Sequence, residues 1–279
     1  MKKATVSGIG FKKMSIIDSA QNMIFTFNEE GEVVYELKTA GAGFDLWHLP
    51  NGNFLYSHLY GIGHGISVVT PGNEVVTRYL SKSEVFCCQP LSDGYVLVGE
   101  LTEERIAIVS PSGKLEEVIP VKTGVHGHEV MRVARQLSNG DYLVVQPGDK
   151  MIRRLGSKGE VLAEYNTRAD TFAVVEKKNG NLLYTAQTAV AEIDSDGREV
   201  WSMTAEEDFK DMGIHWFTGM QLLPDDNIVL CNWLGHGRQG TGVPIIAVSP
   251  EKKILWSLSA PDFTKEPANI QIEGVFDGK

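Results

Sequence analysis

Residues 44–57 read Phe44-Asp45-Leu46-Trp47-His48-Leu49-Pro50-Asn51-Gly52-Asn53-Phe54-Leu55-Tyr56-Ser57. Residues 66–80 follow as Ile66-Ser67-Val68-Val69-Thr70-Pro71-Gly72-Asn73-Glu74-Val75-Val76-Thr77-Arg78-Tyr79-Leu80. Each stretch is an apolar run, a Gly turn and a second run rich in β-branched and aromatic residues, the pattern of a β-hairpin. The phrase then recurs. From Gly52 the first turn returns at Gly94, Gly140, Gly180 and, degenerate, Asp226, at intervals of 42, 46, 40 and 46 residues. The second turn falls at Gly31, Gly72, Gly113, Gly159 and Gly197, at intervals of 41, 41, 46 and 38. Two hairpins per unit, repeating every 40–50 residues or so, predict a β-propeller with one four-stranded blade per repeat.

Outer hairpins are expected over Met23–Leu37, Ile66–Leu80, Arg105–Pro120, Met151–Tyr165, Ala189–Met203 and Ile245–Leu258. Inner hairpins precede five of them: Phe44–Ser57, Val85–Gly99, Val130–Gln146, Thr171–Thr185 and Phe217–Asn232. The first repeat has no innermost strand of its own, while the alternating segment Asn269–Phe276 is left over at the other end. If that tail completes the first blade, six blades close into a ring without open inner edges. Seven result if Ala4–Gly8 and the tail belong to separate blades. The expectation is therefore one all-β domain over residues 1–279, with a short helix near Ala205–Met212 as its only helical segment.

Composition narrows the function. The chain has 279 residues, 42% of them hydrophobic, enough to bury a full core. Its formal net charge of −10 argues against nucleic acid or an anionic membrane as main partner, because both need a concentrated basic surface. No apolar run approaches the roughly 18 residues of a membrane span. The start, Met1-Lys2-Lys3-Ala4, is basic but has no apolar stretch behind it. Cys87, Cys88 and Cys231 cannot make a disulfide framework and read as buried thiols. A cytoplasmic protein is expected, or a periplasmic one if a leader has been removed.

Two outer hairpins carry a family resemblance. Asp194-Ser195-Asp196-Gly197-Arg198-Glu199-Val200-Trp201 and Ser249-Pro250-Glu251-Lys252-Lys253-Ile254-Leu255-Trp256 resemble the repeats of quinoprotein-like (PQQ-like) and arylsulfotransferase-like propellers. The segment Leu222–Asn227 through Cys231-Asn232-Trp233-Leu234-Gly235-His236-Gly237 is similar to one in uncharacterised bacterial propellers grouped with them. The resemblance implies the fold and specifies blade packing rather than an activity. Quinone-binding members carry a docking tryptophan in nearly every blade. Here two of six outer hairpins have it, so bound PQQ is not expected.

Strand direction then locates a site. The innermost strand of a propeller blade descends from the top face, so all the Gly turns above lie at the bottom. The connections between blades, and those between second and third strands, lie at the top. Five of the seven histidines fall there: His126 and His128 before the fourth blade, His215 before the sixth, and His64 and His236 in two Gly-His-Gly loops. His48 reads as structural, and His58 ends a strand near the top. His64, His126 and His236 are candidate ligands for a divalent metal such as zinc, manganese, iron or calcium. His128, His215 and Arg132 are candidates for acid–base and electrophilic roles. Glu129, Trp216, Asn232, Trp233 and Arg238 are candidate ligand-binding residues, with the tryptophans as a platform for a sugar ring and the arginines as carboxylate clamps. Glu84 shares this face, and the Gly-rich loop Leu234–Val243 is positioned as a lid.

No Gly-x-Ser-x-Gly elbow, His-Glu-x-x-His helix or Gly-rich phosphate loop is present, so no standard catalytic motif names a reaction. Two functions from different classes fit the residues. One is a module that binds a small polar ligand, a saccharide for example, or a protein partner at the His-rich top pocket. The other is a metal-assisted lyase or hydrolase acting on a carbohydrate or uronate.

Overall fold

Six antiparallel sheets form a ring in the computed structural model, which describes residues 2–276. From the inside outward, the second blade comprises Ala42–His48, Phe54–Leu59, His64–Val69 and Val75–Ser81. The third to fifth blades repeat this order, with innermost strands at Cys88–Pro90, Val133–Gln136 and Thr171–Glu176. The sixth begins at Trp216–Leu222. In the first blade the innermost strand is Pro267–Ile272, paired with Met14–Asp18 from the other end of the chain. Neighbouring innermost strands touch all the way round, which closes the channel.

The seven-blade alternative has a specific answer. Thr5–Gly8 and the tail do lie in different sheets, yet no blade is added. Thr5–Gly8 pairs with Ile254–Ser259 as a fifth, outermost strand of the sixth blade. The preceding residues cross to the first blade, where Ala4 N–H donates to Gly31 O at 2.8 Å. The ring is thus fastened between blades six and one at its rim as well as at its axis.

Local chemistry explains the repeat. Every outer hairpin shows the same irregularity in register beside a five-residue turn. The fourth residue of each turn is left-handed: Gly31, Asn73, Gly113, Gly159, Gly197 and Lys252. Glycine is favoured there because it has no Cβ to clash. In the second blade the left-handed position is Asn73, one residue beyond the Gly72 that marks the motif in the sequence. Asparagine tolerates this conformation because its short side chain bonds locally. Between sheets, buried aliphatic and aromatic side chains form the core, Tyr56, Tyr184, Phe25 and Phe217 among the largest.

No helix forms at 205–212. Those residues make successive turns, tied when the Asp208 carboxylate accepts the Thr204 N–H at 2.8 Å and when Phe209 buries against Phe217. The aromatic anchor holds the segment down where a helical apolar face would otherwise be needed. Cys87, Cys88 and Cys231 are all buried and free. Burial pushes the Cys87 thiol up to about 12 and the other two well above their usual value, so none is a nucleophile near neutral pH.

Candidate functional site

Among the described residues, cavities open toward both ends of the innermost strands. The larger, about 350 Å³, lies toward the bottom and is lined by Asp45, Trp47, Arg135, Glu176, Gln221 and Gln271 among others. Its polar groups have protein partners. Arg135 pairs with Asp45 at 3.0 Å, and Arg154 with Glu176 at 3.0 Å. The Gln221 and Gln271 amides both donate to Val275 O. Buried polar groups already paired in this way hold blades together and leave little for a ligand.

The second cavity, about 250 Å³, opens at the top face. Its wall is aromatic and aliphatic: Phe44, Leu59, Tyr60, Phe86, Phe172, Trp216, Trp233 and Ala268. Four polar side chains join it, His128, Arg132, Thr218 and His236. A mostly apolar cavity with a few placed polar groups is the usual form of a small-ligand site.

Here the polar groups are poorly satisfied from within the protein. Arg132 lies over the Phe86 ring, 4.6 Å from its centroid, and no hydrogen bond or ion pair to its guanidinium exists among the described residues. Burial draws its pKa down, opposed by the longer-range pull of Glu129, Glu84 and Asp170. Thr218 is buried, and its Oγ1 has no hydrogen-bond partner among the described residues. His128 stands edge-on to Phe86, with Nδ1 2.9 Å from Glu84 Oε2.

On the sixth-blade side, Trp233 organises the wall. His215 stacks on its face, with centroids 6.3 Å apart, and His236 meets it edge-on at 5.0 Å. The indole N–H donates to Ser19 Oγ at 3.3 Å. Nε2 of His215 is buried without a partner among the described residues; burial first, then Arg238 and His236, lowers its pKa and so favours the neutral imidazole.

The structure therefore sorts the residues singled out in the sequence. His128, Arg132, Trp216, Trp233 and His236 share the top cavity, and His215 backs it through Trp233. Glu129 and Arg238 are exposed and do not line it. Asn232 is fully buried, and its amide serves the backbone: its oxygen accepts from the N–H groups of His215 and Trp216, and its nitrogen donates to Gly213 O and Val243 O. It positions His215 and Trp216 and has no valence left for a ligand.

The three candidate metal ligands stand apart. His64 packs against Tyr60, His126 is exposed and bonded to Glu104 at 3.2 Å, and His236 packs on Trp233. Among the described residues no three His, Cys, Asp or Glu side chains are grouped to hold a metal ion. These histidines do not fit a shared metal, because a ligand set must converge within about 2.1 Å of one point.

The loop Leu234–Val243 is fastened rather than loose. Val243 N–H donates to Met212 O at 2.8 Å, and the Gln239 amide donates to Glu266 of the first-blade closure at 2.6 Å. Gly242 is required by close approach, since a Cβ there would lie 2.1 Å from Gly213 O.

Sequence reading missed Phe44, Phe86, Phe172 and Thr218. Their signal was available: each lies on or just before an innermost strand, near its top end. The corresponding place in the fourth blade carries Arg132.

No protein-family profile matches the chain, and no curated protein sequence does. Solved structures match over nearly the whole length. A protein of unknown function from Bacteroides caccae is 19% identical, with a TM-score of 0.83, covering 94% of this chain and 98% of that one. A catalytically inactive virginiamycin B lyase from Staphylococcus aureus, solved with quinupristin, is 13% identical, with a TM-score of 0.66 and coverage of 98% and 94%. A nidogen/laminin complex supplies a chain 11% identical, with a TM-score of 0.68 and coverage of 93% and 97%. At such identities the likeness shows the fold alone.

No family match supports the likeness of the two outer hairpins at 194–201 and 249–256 to quinoprotein-like repeats. Their tryptophans act in packing. Trp201 N–H donates to Pro250 O at 2.8 Å, between the fifth and sixth blades, and Trp256 is buried against Phe11. No helix among the described residues is long and apolar enough to cross a membrane.

Proposed function

We propose that this propeller binds a small polar ligand in its top cavity, and that a monosaccharide-sized ring is the class that fits best. The observation that carries this is the pairing of an aromatic wall with unsatisfied polar groups: Trp216 and Trp233 beside Arg132 and Thr218 Oγ1. A sugar ring has an apolar face for the first and hydroxyls for the second. The volume of about 250 Å³ sits just below the usual range for ligand sites, which favours one ring over a chain of them. Tryptophan fluorescence titrated with neutral and acidic monosaccharides tests this. Trp233→Ala should weaken binding about tenfold, the value of roughly 1.4 kcal/mol of lost stacking. Saturable binding left unchanged by Trp216→Ala and Trp233→Ala would place the ligand elsewhere.

A second function is favoured by one contact, the Glu84 carboxylate beside His128 at the cavity wall. An imidazole held by a carboxylate next to a guanidinium is an arrangement able to move a proton in a carbohydrate lyase or hydrolase. Turnover of oligouronides that is lost in both Glu84→Gln and His128→Ala would establish it. Equal product with either variant would remove it.

A further inference from the structure

Arg132 is exceptional among the nine arginines of the chain. Six of them, Arg105, Arg135, Arg153, Arg154, Arg168 and Arg198, form ion pairs with carboxylates. Arg78 and Arg238 are exposed to solvent. Arg132 alone stands in a cavity with one face on an aromatic ring and, among the described residues, no acceptor for its five N–H donors. Arg135, three residues further on, shows what a structural arginine in this channel looks like. Its guanidinium contacts both Asp45 oxygens and donates to the Cys88 carbonyl.

A charge withdrawn from water without a partner is unfavourable, and proteins retain such groups where a ligand completes them. The guanidinium geometry selects the completing group, because its parallel N–H bonds match a carboxylate. Phe86 already covers one face of Arg132 and fixes the plane, so the donors remain available at the edges. Glu84, Glu129 and Asp170 lie nearby but none of them pairs with Arg132, and Glu84 is already at 2.9 Å from His128. Independently, the buried and unpartnered Thr218 Oγ1 in the same cavity calls for a hydroxyl or ring oxygen.

We infer that the top cavity recognises an anionic sugar of the hexuronate class, its carboxylate on Arg132, a hydroxyl on Thr218 Oγ1 and its apolar face on the tryptophans. This rests on the saccharide-binding function proposed above and adds the charge. The test is calorimetric titration of the folded full chain with D-glucuronate and D-galacturonate, the methyl ester of each, and D-glucose. The ester keeps the shape and removes the charge. At least one acid should bind tenfold or more tightly than its own ester and than glucose, and the preference should shrink as salt is raised. Arg132→Gln should bring the acid down to its ester, while Thr218→Val should weaken acid and ester alike. Acid and ester binding equally well would overturn charge recognition and leave saccharide binding standing. No binding by any of the five sugars would overturn both. The acid–ester comparison uses the unmodified protein, so a variant that failed to fold would not obscure the result.

Discussion

Asp45 of the second blade and Arg135 of the fourth meet at 3.0 Å inside the channel, over the innermost strand of the third. The cluster gathers four blades, because Asn269 of the first-blade closing strand also donates to Asp45 Oδ1 at 2.6 Å. Cys88 N–H of the third blade donates to Oδ2 at 2.9 Å, and the Trp47 ring lies 5.2 Å from the guanidinium. Both charges are out of water, so removing one leaves the other uncompensated. Asp45→Asn should therefore destabilise the fold by about 3–5 kcal/mol, measured by urea unfolding at neutral pH. Asp45→Asn with Arg135→Met should recover part of that loss. A single substitution without effect would show that the pair contributes little to joining the blades.

The closing strand makes a related prediction. Deleting residues 269–279 removes most of the innermost strand of the first blade and one partner of Asp45. It exposes Met14–Asp18 as an open edge, a template for pairing with another chain. The truncated protein should unfold at lower temperature and elute as aggregates or dimers. A monomer with unchanged melting temperature would mean that Thr5–Gly8 and the rim contacts close the ring unaided.

Much of this was legible in the sequence, and its limits have physical reasons. Turn residues announced the hairpins because a left-handed position nearly always demands Gly, Asn or Asp; Lys252 is a turn that such a scan passes over. Strand direction alone put His128, Arg132, Trp216, Trp233 and His236 at the top face, where the second cavity opens. What could not be read was the facing of individual side chains. Asn232 and Arg132 looked equivalent as polar groups near the top, yet the Asn232 amide is consumed by four backbone bonds while the Arg132 guanidinium has no hydrogen bond among the described residues. His126 and His128 are two residues apart, but a short 3-10 turn at Gly127–Glu129 separates them. Extended backbone would have carried both rings on the same side.

Acid should weaken the fold through buried histidine. His58 is fully buried, with Nδ1 3.0 Å from Gly63 O and Nε2 3.4 Å from Ser67 Oγ. Burial is the main cause of its lowered pKa; the Gly63 carbonyl opposes it, and Arg78 and His64 add to it. Because the folded pKa lies below the unfolded value of about 6.5, the unfolded chain takes up the proton first as pH falls. The stability this group contributes is present above about pH 6.5 and is lost as pH falls through the folded pKa. His48 and His215 shift in the same direction. The melting temperature should fall between pH 7 and pH 5.5, and His58→Gln should flatten that slope. A flat profile for the unmodified protein over this range would contradict the burial of these rings.

Arg132 should separate stability from binding. A guanidinium against Phe86, with no paired carboxylate among the described residues, costs the free protein desolvation that the longer-range pull of Glu129, Glu84 and Asp170 offsets only in part. A side chain of similar length without charge fills the same space and keeps contact with the ring. Arg132→Met should accordingly leave the melting temperature unchanged or raise it, by up to about 1 kcal/mol of added stability. The same substitution should abolish discrimination between an acidic sugar and its ester. If Arg132 were instead a packing residue of the fourth blade, Arg132→Met would lower the melting temperature in step with any loss of binding. Opposite signs in the two measurements distinguish a residue kept for a ligand from one kept for the fold, and neither measurement alone would do so.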